Sequence, residues 1–283
     1  MRGGSFRDSY AEMMYRAKPD DGVAFVTGAS SGIGHASTLE LVRRGYRVAV
    51  TARRKDALAS LAATAPERIF PFPADVTDAG VIAATVSRIE ADVGPIVLAF
   101  LNAGVFFPAE RIGFDPALIA QTHAVNVGGT VNCLAPLLDV MLPRGRGQIA
   151  INASLAGYGG LPGGLAYGSA KAALIHMAET LALTYGEKGL RIQVLCHGFV
   201  RTAMTDQEKD YAMPLRIEAE AAAKIICDGF ERRGFEIAFP WPLVALSKFA
   251  KLLPYPLRFR LIAAAVQNAA ANKAERKSLS NPD

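Results

Sequence analysis

A tyrosine and a lysine four residues apart carry the most chemical information in this chain. Tyr167 and Lys171 lie in one short segment, and Ser154 precedes them in Asn152-Ala153-Ser154. Residues four apart on a helix share one face. A lysine ammonium beside a phenol favours the phenolate, so such a phenol can exchange a proton with an alcohol near neutral pH. The pair alone is weak evidence, because an ordinary surface helix explains this spacing equally well.

A glycine-rich turn near the start of the chain is the second chemical element. The apolar run Val23–Thr27 passes directly into Gly28–Gly34, and a helix follows. Glycines let the main chain approach a ligand closely, and a helix N-terminus offers N–H groups to a pyrophosphate. An ordinary strand-to-helix turn is the alternative, but three glycines in this context favour dinucleotide binding. The predicted contacts are Thr27, Gly28, Ser30, Ser31, Gly32, Ile33 and Gly34.

Strands and helices alternate along most of the chain and must position these residues. Strands are predicted at Val23–Thr27, Tyr46–Thr51, Ile69–Pro73, Ile96–Leu101, Gln148–Ala153, Arg191–Cys196 and Glu236–Phe239. Helices are predicted at Asp56–Ala63, Val81–Val93, Leu118–Leu142 with an interruption at Pro136, Ala166–Gly186 and Ala219–Phe230. This order predicts an α/β fold: a doubly wound, mostly parallel sheet of about seven strands with helices on both faces. Ligands of such sheets bind at the carboxyl ends of the strands.

The 283 residues, 51% of them hydrophobic, suit a single dinucleotide-binding catalytic domain over residues 21–240. We expect a flexible extension over 1–20, and an apolar and basic extension over 241–283 that ends in a disordered tail. The first eighteen residues are polar and do not resemble a signal peptide. No uninterrupted apolar stretch reaches the ~18 residues that a membrane-spanning helix needs.

Composition argues against several function classes. The net charge of +5 is spread along the chain, so no nucleic-acid partner is expected. The four histidines show no metal-ligand spacing, so no metal site is expected. The three cysteines are too few and too scattered for a disulfide framework, and they fit a reducing, cytoplasmic location.

Taken together, these motifs resemble the short-chain dehydrogenase/reductase family over about Val23–Phe239. The T-G-x-x-x-G-I-G turn agrees fully, and Asn102-Ala103-Gly104 matches most of the family's N-N-A-G, with Leu101 in place of the first Asn. That departure affects a sheet-stabilising position more than a chemical one. The resemblance implies a catalytic tetrad of Asn126, Ser154, Tyr167 and Lys171.

The resemblance also implies cofactor contacts outside the glycine turn. Asp75 matches the acid that binds the adenine amino group, and Lys171 is expected to bond the nicotinamide ribose. The further contacts are Val76, Asn102, Ala103, Gly104, Tyr167, Gly198, Val200 and Thr202. His197 stands where the family usually has a proline, which would have restricted the backbone. It is either a loop residue with its hydrogen bonds satisfied, which we favour, a polar group facing the substrate, or a pH-sensitive contact.

The end of the second strand indicates which nicotinamide cofactor is used. An acid there would bind the ribose 2′-hydroxyl and repel a 2′-phosphate. The chain has Arg53 and Arg54 instead, and a guanidinium can fork two hydrogen bonds onto phosphate. The alternative is a solvated basic helix start, which is how we interpret Lys55. We predict NADP(H) in preference to NAD(H).

The expected activity is interconversion of a ketone or aldehyde and an alcohol. The resemblance implies that Tyr167 is the general acid/base, that Ser154 orients the substrate oxygen, and that Asn126 holds a water linking Lys171 to solvent. The apolar residues Leu155, Tyr158, Leu161, Phe199 and Met204 predict a hydrophobic substrate, and Ala203–Pro214 is a candidate lid. The alternative function is a cofactor-sensing regulatory or scaffold protein that keeps the fold without turnover.

The C-terminal extension has two apolar segments, Leu243–Leu253 and Leu257–Val266, that also contain Lys248, Lys251, Arg258 and Arg260. Such segments can make peripheral contact with a membrane surface, or they can cover the substrate entrance or a partner subunit. We favour packing at the entrance or on a partner. The family resemblance implies a homodimer or homotetramer formed through the two long helices.

Overall fold

A parallel sheet of seven strands forms the centre of the computed structural model, which describes residues 15–107, 114–206 and 213–265. The strand order is β3-β2-β1-β4-β5-β6-β7, and every neighbouring pair is parallel. The strands are β1 Val23–Thr27, β2 Arg47–Thr51, β3 Ile69–Pro71, β4 Ile96–Leu101, β5 Gly147–Asn152, β6 Leu190–His197 and β7 Glu236–Phe239. The predicted fold class is confirmed.

Helices cover both faces of the sheet. They are α1 Gly32–Arg43, α2 Lys55–Ala63, α3 Ala79–Asp92, α4 Pro116–His123, α5 Gly129–Arg144, α6 Leu165–Tyr185, α7 Ala203–Asp206, α8 Ala219–Glu231 and α9 Trp241–Leu252. A further helical run occupies 255–265. The core on one face includes Leu137 and Leu174, and the core on the other includes Leu41 and Ile226. Because both faces are buried, β1 and β4 are almost entirely apolar, whereas β5 and β6 also contain the buried polar residues Gln148, Arg191 and Gln193.

The strand order places a crevice at the carboxyl ends of β1 and β4. The chain runs outward from β1 through β2 to β3, and then crosses back to β4 on the other side of β1. The loops that follow β1 and β4 therefore diverge and leave an opening between them, which is where open α/β sheets bind ligands. This crevice receives the glycine turn and Asn102–Gly104.

The interruption predicted at Pro136 is wrong. Helix α5 runs continuously through Pro136, because its neighbours Cys133, Leu137 and Met141 pack in the core and hold the helix in place. The irregularity lies earlier, in a π-helical turn over Ala124–Gly128 that joins α4 to α5. Single π turns inside helices are frequent at functional sites, and this one contains Asn126.

One helical run among the described residues, Pro116–Arg144, is long and apolar enough by length and composition to cross a membrane. Its apolar 18-residue window has a mean hydropathy of 1.4, and 39% of that window is buried inside the fold. This run is α4, the π turn and α5 together, and α5 packs against α3 and the sheet. Core helices of soluble proteins pass the same test, so the run is weak evidence for a membrane span.

The described part of the N-terminal extension contacts the sheet. The main-chain N–H of Ala17 donates to Gln148 Oε1 at 3.0 Å, and the hydroxyl of Tyr46 donates to the carbonyl of Ala17 at 2.8 Å. The rest of that extension, residues 207–212 of the candidate lid and the predicted disordered tail lie outside the described residues.

Candidate active site

Three of the four predicted catalytic residues line one cavity of about 1590 Å³ at the carboxyl end of the sheet. Ser154 comes just after β5, while Tyr167 and Lys171 lie one turn apart near the start of α6. The ring of Tyr167 also contacts Phe106, with ring centroids 5.3 Å apart in an edge-to-face arrangement. Phe106 lies two residues after the Asn102–Gly104 motif, but no feature of its sequence context had indicated this contact.

Lys171 is a buried cation. Its side chain is 3% exposed, and Nζ donates a hydrogen bond to the carbonyl of Asn152 at 2.6 Å. Nζ also lies 5.4 Å from the centroid of the Tyr167 ring. Burial lowers the pKa of Lys171 to about 8, because an ammonium without solvent is destabilised relative to the neutral amine. The arrangement therefore holds a titratable nitrogen beside the phenol ring.

Ser154 has a structural role as well as a place in the cavity wall. Its hydroxyl accepts from the N–H of Ala156 at 3.2 Å, which caps the turn Leu155–Gly157, and donates to the carbonyl of His197 at 3.3 Å. Ser154 thus stabilises this turn while its hydroxyl lies in the wall of the cavity.

Asn126 lies behind the cavity wall rather than in it. Its Oδ1 accepts from the N–H of Val105 at 2.7 Å, and its Nδ2 donates to the carbonyl of the same residue at 3.0 Å. Gly104 separates it from Lys171: a Cβ at that glycine would lie 3.0 Å from Asn126 Oδ1 and 3.7 Å from Lys171 Nζ. Asn126 therefore holds the loop that begins at Asn102 against the lysine.

The glycine turn packs against the Asn102–Gly104 loop with no room for side chains. Gly28 has φ +69°, and a Cβ there would lie 2.8 Å from the Cα of Ala103. Thr27 Oγ1 accepts from the N–H groups of Asn102 and Ala103 at 2.9 and 3.0 Å. Gly34 lies behind the wall, where a Cβ would be 2.4 Å from the carbonyl of Gly28. Thr27 and Gly34 thus shape the turn instead of lining the cavity.

The N-terminus of α1 fits a pyrophosphate. Its N-cap residue Ser31 makes no side-chain hydrogen bond to the first turn, so those N–H groups are left for an anion. Ser30, Ser31, Gly32 and Ile33 all line the cavity. A Cβ at Gly32, which has φ +57°, would lie 2.9 Å from Cγ2 of Thr202, so the loop after β6 closes over this end. Gly198, Val200 and Thr202 line that side.

The predicted adenine end contains two arginines and one acid. Nη2 of Arg54 donates to the carbonyl and to the hydroxyl of Ser30, both at 3.1 Å. These bonds connect the basic segment to the glycine turn. Arg53 is exposed and makes no hydrogen bond within the described ranges. Asp75 accepts from the N–H and hydroxyl of Thr77, and these bonds, helped by the charge of Arg53, lower the pKa of Asp75. Arg53, Arg54, Asp75 and Val76 all line the cavity.

His197 ends β6 and lines the cavity. Its Nδ1 pairs with the carbonyl of Gly198 at 2.7 Å, and its ring stacks on Phe239 with centroids 6.2 Å apart. Burial, with a further contribution from the nearby Lys171 charge, lowers the pKa of His197 to about 4. A neutral imidazole at physiological pH agrees with the loop-residue interpretation and argues against a pH switch in that range.

The predicted pocket residues Leu155, Tyr158, Leu161, Phe199 and Met204 all line the cavity. The hydroxyl of Tyr158 donates to Glu236 on β7, and Lys248 on α9 pairs with the other oxygen of that carboxylate. Burial and this hydrogen bond raise the pKa of Tyr158. The outer wall comes from the C-terminal extension: Leu243, Leu246, Ser247, Ala250, Lys251, Arg258, Leu261, Ile262 and Ala265. The expectation that this segment packs at the entrance therefore matches its position.

Comparison with known proteins agrees with this geometry. The family model for short chain dehydrogenases matches residues 22–212, which is more than half of the chain. The chain belongs to the short-chain dehydrogenase family. The matched region contains the glycine turn, the Asn102–Gly104 loop and all four residues of the predicted tetrad.

Relatives and solved structures of this family resemble the chain over most of its length. An uncharacterised oxidoreductase of Myxococcus xanthus is 34% identical over 252 residues, covering 87% of this chain and 96% of the relative. The acetoacetyl-CoA reductase of Rhizobium meliloti is 32% identical over 183 residues, covering 64% and 75%. A short chain dehydrogenase from Burkholderia cenocepacia in complex with NADP has a TM-score of 0.73 at 25% identity, covering 85% of this chain and 97% of that one.

As a short-chain dehydrogenase, the protein is an oxidoreductase with a nicotinamide cofactor site. The residues present fit that cofactor at the uncapped start of α1 and at the cavity wall beside Asn102–Gly104. Thr27, Gly28 and Gly34 bring the backbone close enough to form this wall.

Proposed function

We propose that this short-chain dehydrogenase interconverts a ketone or aldehyde and the corresponding alcohol, using Tyr167 as general acid/base. The observation that carries the proposal is the meeting of Ser154, Tyr167 and Lys171 in one cavity whose other end is the glycine turn. A cofactor-sensing protein without turnover has no need of this set, and an intact set supports an enzyme.

The proposed mechanism assigns one task to each side chain. A bound nicotinamide supplies or accepts the hydride. Tyr167 donates a proton to the substrate oxygen during reduction and takes it back during oxidation. The hydroxyl of Ser154 turns from the carbonyl of His197, donates its hydrogen bond to that oxygen instead and orients it. Lys171, held by the carbonyl of Asn152, keeps a positive charge beside the phenol and favours its ionised form.

In this proposal Asn126 is a positioning residue that holds the loop after β4 in place. Both polar atoms of its carboxamide bond the main chain of Val105, and it lies across Gly104 from Lys171. It therefore sets the distance between the Asn102–Gly104 loop and the lysine. The water that the family resemblance places between Asn126 and Lys171 stays a prediction.

We infer a preference for NADP(H) from the segment after β2. No acid occupies the position that would repel a 2′-phosphate, and the exposed Arg53 is free of hydrogen bonds within the described chain. Arg54 supports the segment from Ser30. The similarity to a dehydrogenase solved in complex with NADP is in keeping with this preference.

The proposed substrate is hydrophobic. Leu155, Leu161, Phe199 and Met204 line the end of the cavity beyond Tyr167, and α9 adds further apolar side chains. An apolar wall favours substrates with apolar surface, because that surface is removed from water when the substrate binds. The similarity to an acetoacetyl-CoA reductase supports carbonyl reduction as the reaction type.

We propose a cytoplasmic homodimer or homotetramer. Cys133, Cys196 and Cys227 are buried free thiols, as expected in a reducing compartment, and cell fractionation tests the location. The exposed apolar residues Trp241 and Leu252 on the basic C-terminal extension also support peripheral membrane contact, which sedimentation with anionic lipid vesicles tests. Packing at the entrance is the interpretation that the position of α9 favours.

The test of the proposed function is the Tyr167→Phe variant. We expect it to bind NADPH as the wild type does while losing at least about a thousandfold in turnover of hydrophobic ketones, because the proton donor is gone. NADPH oxidation followed against a panel of ketones measures turnover, and cofactor fluorescence measures binding. A Phe variant that keeps its turnover contradicts the assigned acid. If the wild-type protein binds NADPH but none of the ketones in the panel causes its oxidation, the cofactor-sensing alternative is favoured.

A further inference from the structure

The outer half of the cavity has an unbalanced charge. Among the described residues that line the whole cavity, the only carboxylate is Asp75, which lies at the adenine end with Arg53 and Arg54. The half formed by the C-terminal extension contains Lys251 and Arg258, and no described acid lines it. Neither cation forms an ion pair within the described parts of the chain. The wall beside them is otherwise apolar.

Arg258 differs from the other sheltered arginines. Five arginines in the described ranges are partly or fully buried: Arg44, Arg144, Arg191, Arg216 and Arg258. Three of them bond carboxylates, and Arg191 donates to main-chain carbonyls. Arg258 has neither kind of partner. Its Nε is buried without a hydrogen bond, as are those of Arg144 and Arg216, but the other guanidinium nitrogens of those two residues bond carboxylates. A guanidinium nitrogen that has lost water without gaining an acceptor is unfavourable, and an anionic ligand on the same guanidinium offsets this cost.

The position of Arg258 is defined by its neighbours. Its guanidinium carbon lies 5.1 Å from the centroid of the Tyr255 ring, one turn earlier on the same helical run. Its Nη2 would lie 3.5 Å from a Cβ at Gly159, in the loop between Ser154 and α6. The stacked ring and the close backbone orient the guanidinium fork at the cavity wall. Lys248 differs, because it pairs with Glu236.

We propose that Arg258, with Lys251 on the wall of the same cavity, forms an anion subsite for the charged end of an amphiphilic carbonyl substrate. This inference rests on the proposed carbonyl reduction and names the class of its substrate. The hydrocarbon part of the substrate lies along the apolar wall of Leu161, Leu246 and Leu261. A carboxylate and a phosphate present similar oxygens to a guanidinium fork, so both chemistries fit the subsite.

The kinetic test uses the full chain with NADPH and a series of linear keto acids. Each keto acid is compared with its neutral methyl ester, and the ketone stands at increasing distance from the carboxylate. In Arg258→Ala we expect kcat/KM for the best keto acid to fall roughly tenfold or more, mainly through KM, with the ester unchanged. Lys251→Ala should show a smaller loss of the same kind. Arg260→Ala is the matched control, because Arg260 is exposed on the same helical run and does not line the cavity.

A binding test separates this inference from the proposed reaction. Decanoate, decyl phosphate and decanol carry no carbonyl to reduce, and calorimetry measures their binding to the NADPH-loaded protein. We expect the two anions to bind more tightly than the alcohol in the wild type and in Arg260→Ala, but not in Arg258→Ala. The anion that binds more tightly, carboxylate or phosphate, identifies the head group that the subsite prefers.

The outcomes are distinguishable. Anion preference in calorimetry without turnover of any ketone supports the subsite and removes the proposed reaction. Turnover of esters and keto acids with equal efficiency, unchanged by Arg258→Ala, overturns the subsite and leaves the reaction standing. A thermal unfolding temperature that falls in Arg258→Ala, with the preference for anions unaltered, also overturns it, because Arg258 would then serve the fold alone.

Discussion

Single side chains in this cavity are arranged at a cost in folding free energy. Lys171 is buried with a carbonyl as its hydrogen-bond acceptor, and no carboxylate within the described chain pairs with it. Its ammonium is destabilised by lost hydration, which is why its pKa falls from 10.5 to about 8. The same burial places a cation beside the Tyr167 ring.

Replacing Lys171 with Met should therefore stabilise the cofactor-free protein. We expect the free energy of unfolding at pH 7 to rise by roughly 1–3 kcal/mol, since the folded state no longer buries an ammonium. The folded pKa of about 8 lies below the unfolded value of 10.5, so the wild type gains stability as pH rises through this window. The difference between variant and wild type should shrink from pH 8 to pH 10.5. Urea unfolding at several pH values measures it.

Lys224→Met is the control for that measurement. Lys224 is exposed on α8, and its replacement should change neither the stability at pH 7 nor its pH dependence. A Lys171→Met protein that is less stable than the wild type across the whole range contradicts the cost assigned to burial.

The proposed preference for NADP(H) is tested at a single side chain, Arg53. In Arg53→Asp we expect kcat/KM with NADPH to fall and that with NADH to rise, so that the ratio changes by roughly a hundredfold or more. The carboxylate repels a 2′-phosphate and accepts hydrogen bonds from a 2′-hydroxyl. Steady-state rates with both cofactors and one ketone measure the ratio. An unchanged ratio shows that Arg53 is only a solvated surface residue, and Lys55→Asp provides the matched control.

At the scale of elements, irregular segments meet the regular helix α6, which contains Tyr167 and Lys171, at the candidate site. The π turn Ala124–Gly128 turns Asn126 toward the loop after β4, and the glycine turn brings β1 against the same loop. Asn126 satisfies both main-chain groups of Val105, which would otherwise have no partner from the sheet. Loop, π turn and α6 thus meet at one point beside Lys171.

Asn126→Ala should loosen this meeting point. Two main-chain groups lose their buried partners, so we expect the free energy of unfolding to fall by about 1–3 kcal/mol. Turnover should fall as well, because the loop no longer holds its distance from Lys171. Asn132→Ala is the control on the same helical run: Asn132 makes a single bond, from Nδ2 to the carbonyl of Val76. Urea unfolding that shows equal losses in both variants contradicts the special role of Asn126.

At the scale of the whole molecule, large apolar side chains are exposed in several regions of the described surface, and two of these regions concern the cavity entrance and assembly. One is the C-terminal extension, where Trp241 and Phe249 lie in solvent beside the cavity mouth. The other is made of α5 and α6, on which Val131, Leu165 and Leu183 are exposed. Leu183 is 84% exposed, which is unfavourable for an isolated subunit. The second region coincides with the helices through which the family resemblance implies assembly.

Leu183→Glu should lower the molecular mass in solution. A carboxylate at an apolar subunit contact must lose its hydration on assembly, which destabilises the assembled form. We therefore expect the dimer or tetramer to dissociate toward a smaller species. Size-exclusion chromatography with light scattering measures the mass. Lys224→Glu, a charge change on the exposed face of α8, should leave the mass unaltered. Equal masses for wild type and Leu183→Glu place the subunit contact elsewhere.

The sequence by itself determined the order of strands and helices and the glycine turn. These follow from local causes: apolar runs and their spacing, glycine at turns, and helical periodicity. The tetrad was predicted from the resemblance of the sequence motifs to a known family. The fold class was confirmed because alternating apolar strands and helices have few other ways to bury both faces of a sheet. Local sequence was misleading at Pro136, where packing in the core outweighed the helix-breaking tendency of proline.

Only the tertiary structure decided what each residue faces. Asn126 bonds Val105, which belongs to a different segment of the chain. The burial that lowers the pKa of Lys171 and the environment of Arg258 likewise depend on segments that are far apart in the sequence. Such contacts depend on how helices settle on the sheet, and no local pattern encodes their distances. The position of the C-terminal extension in the cavity wall has the same origin, because its composition fits several surfaces equally well and does not say where it packs.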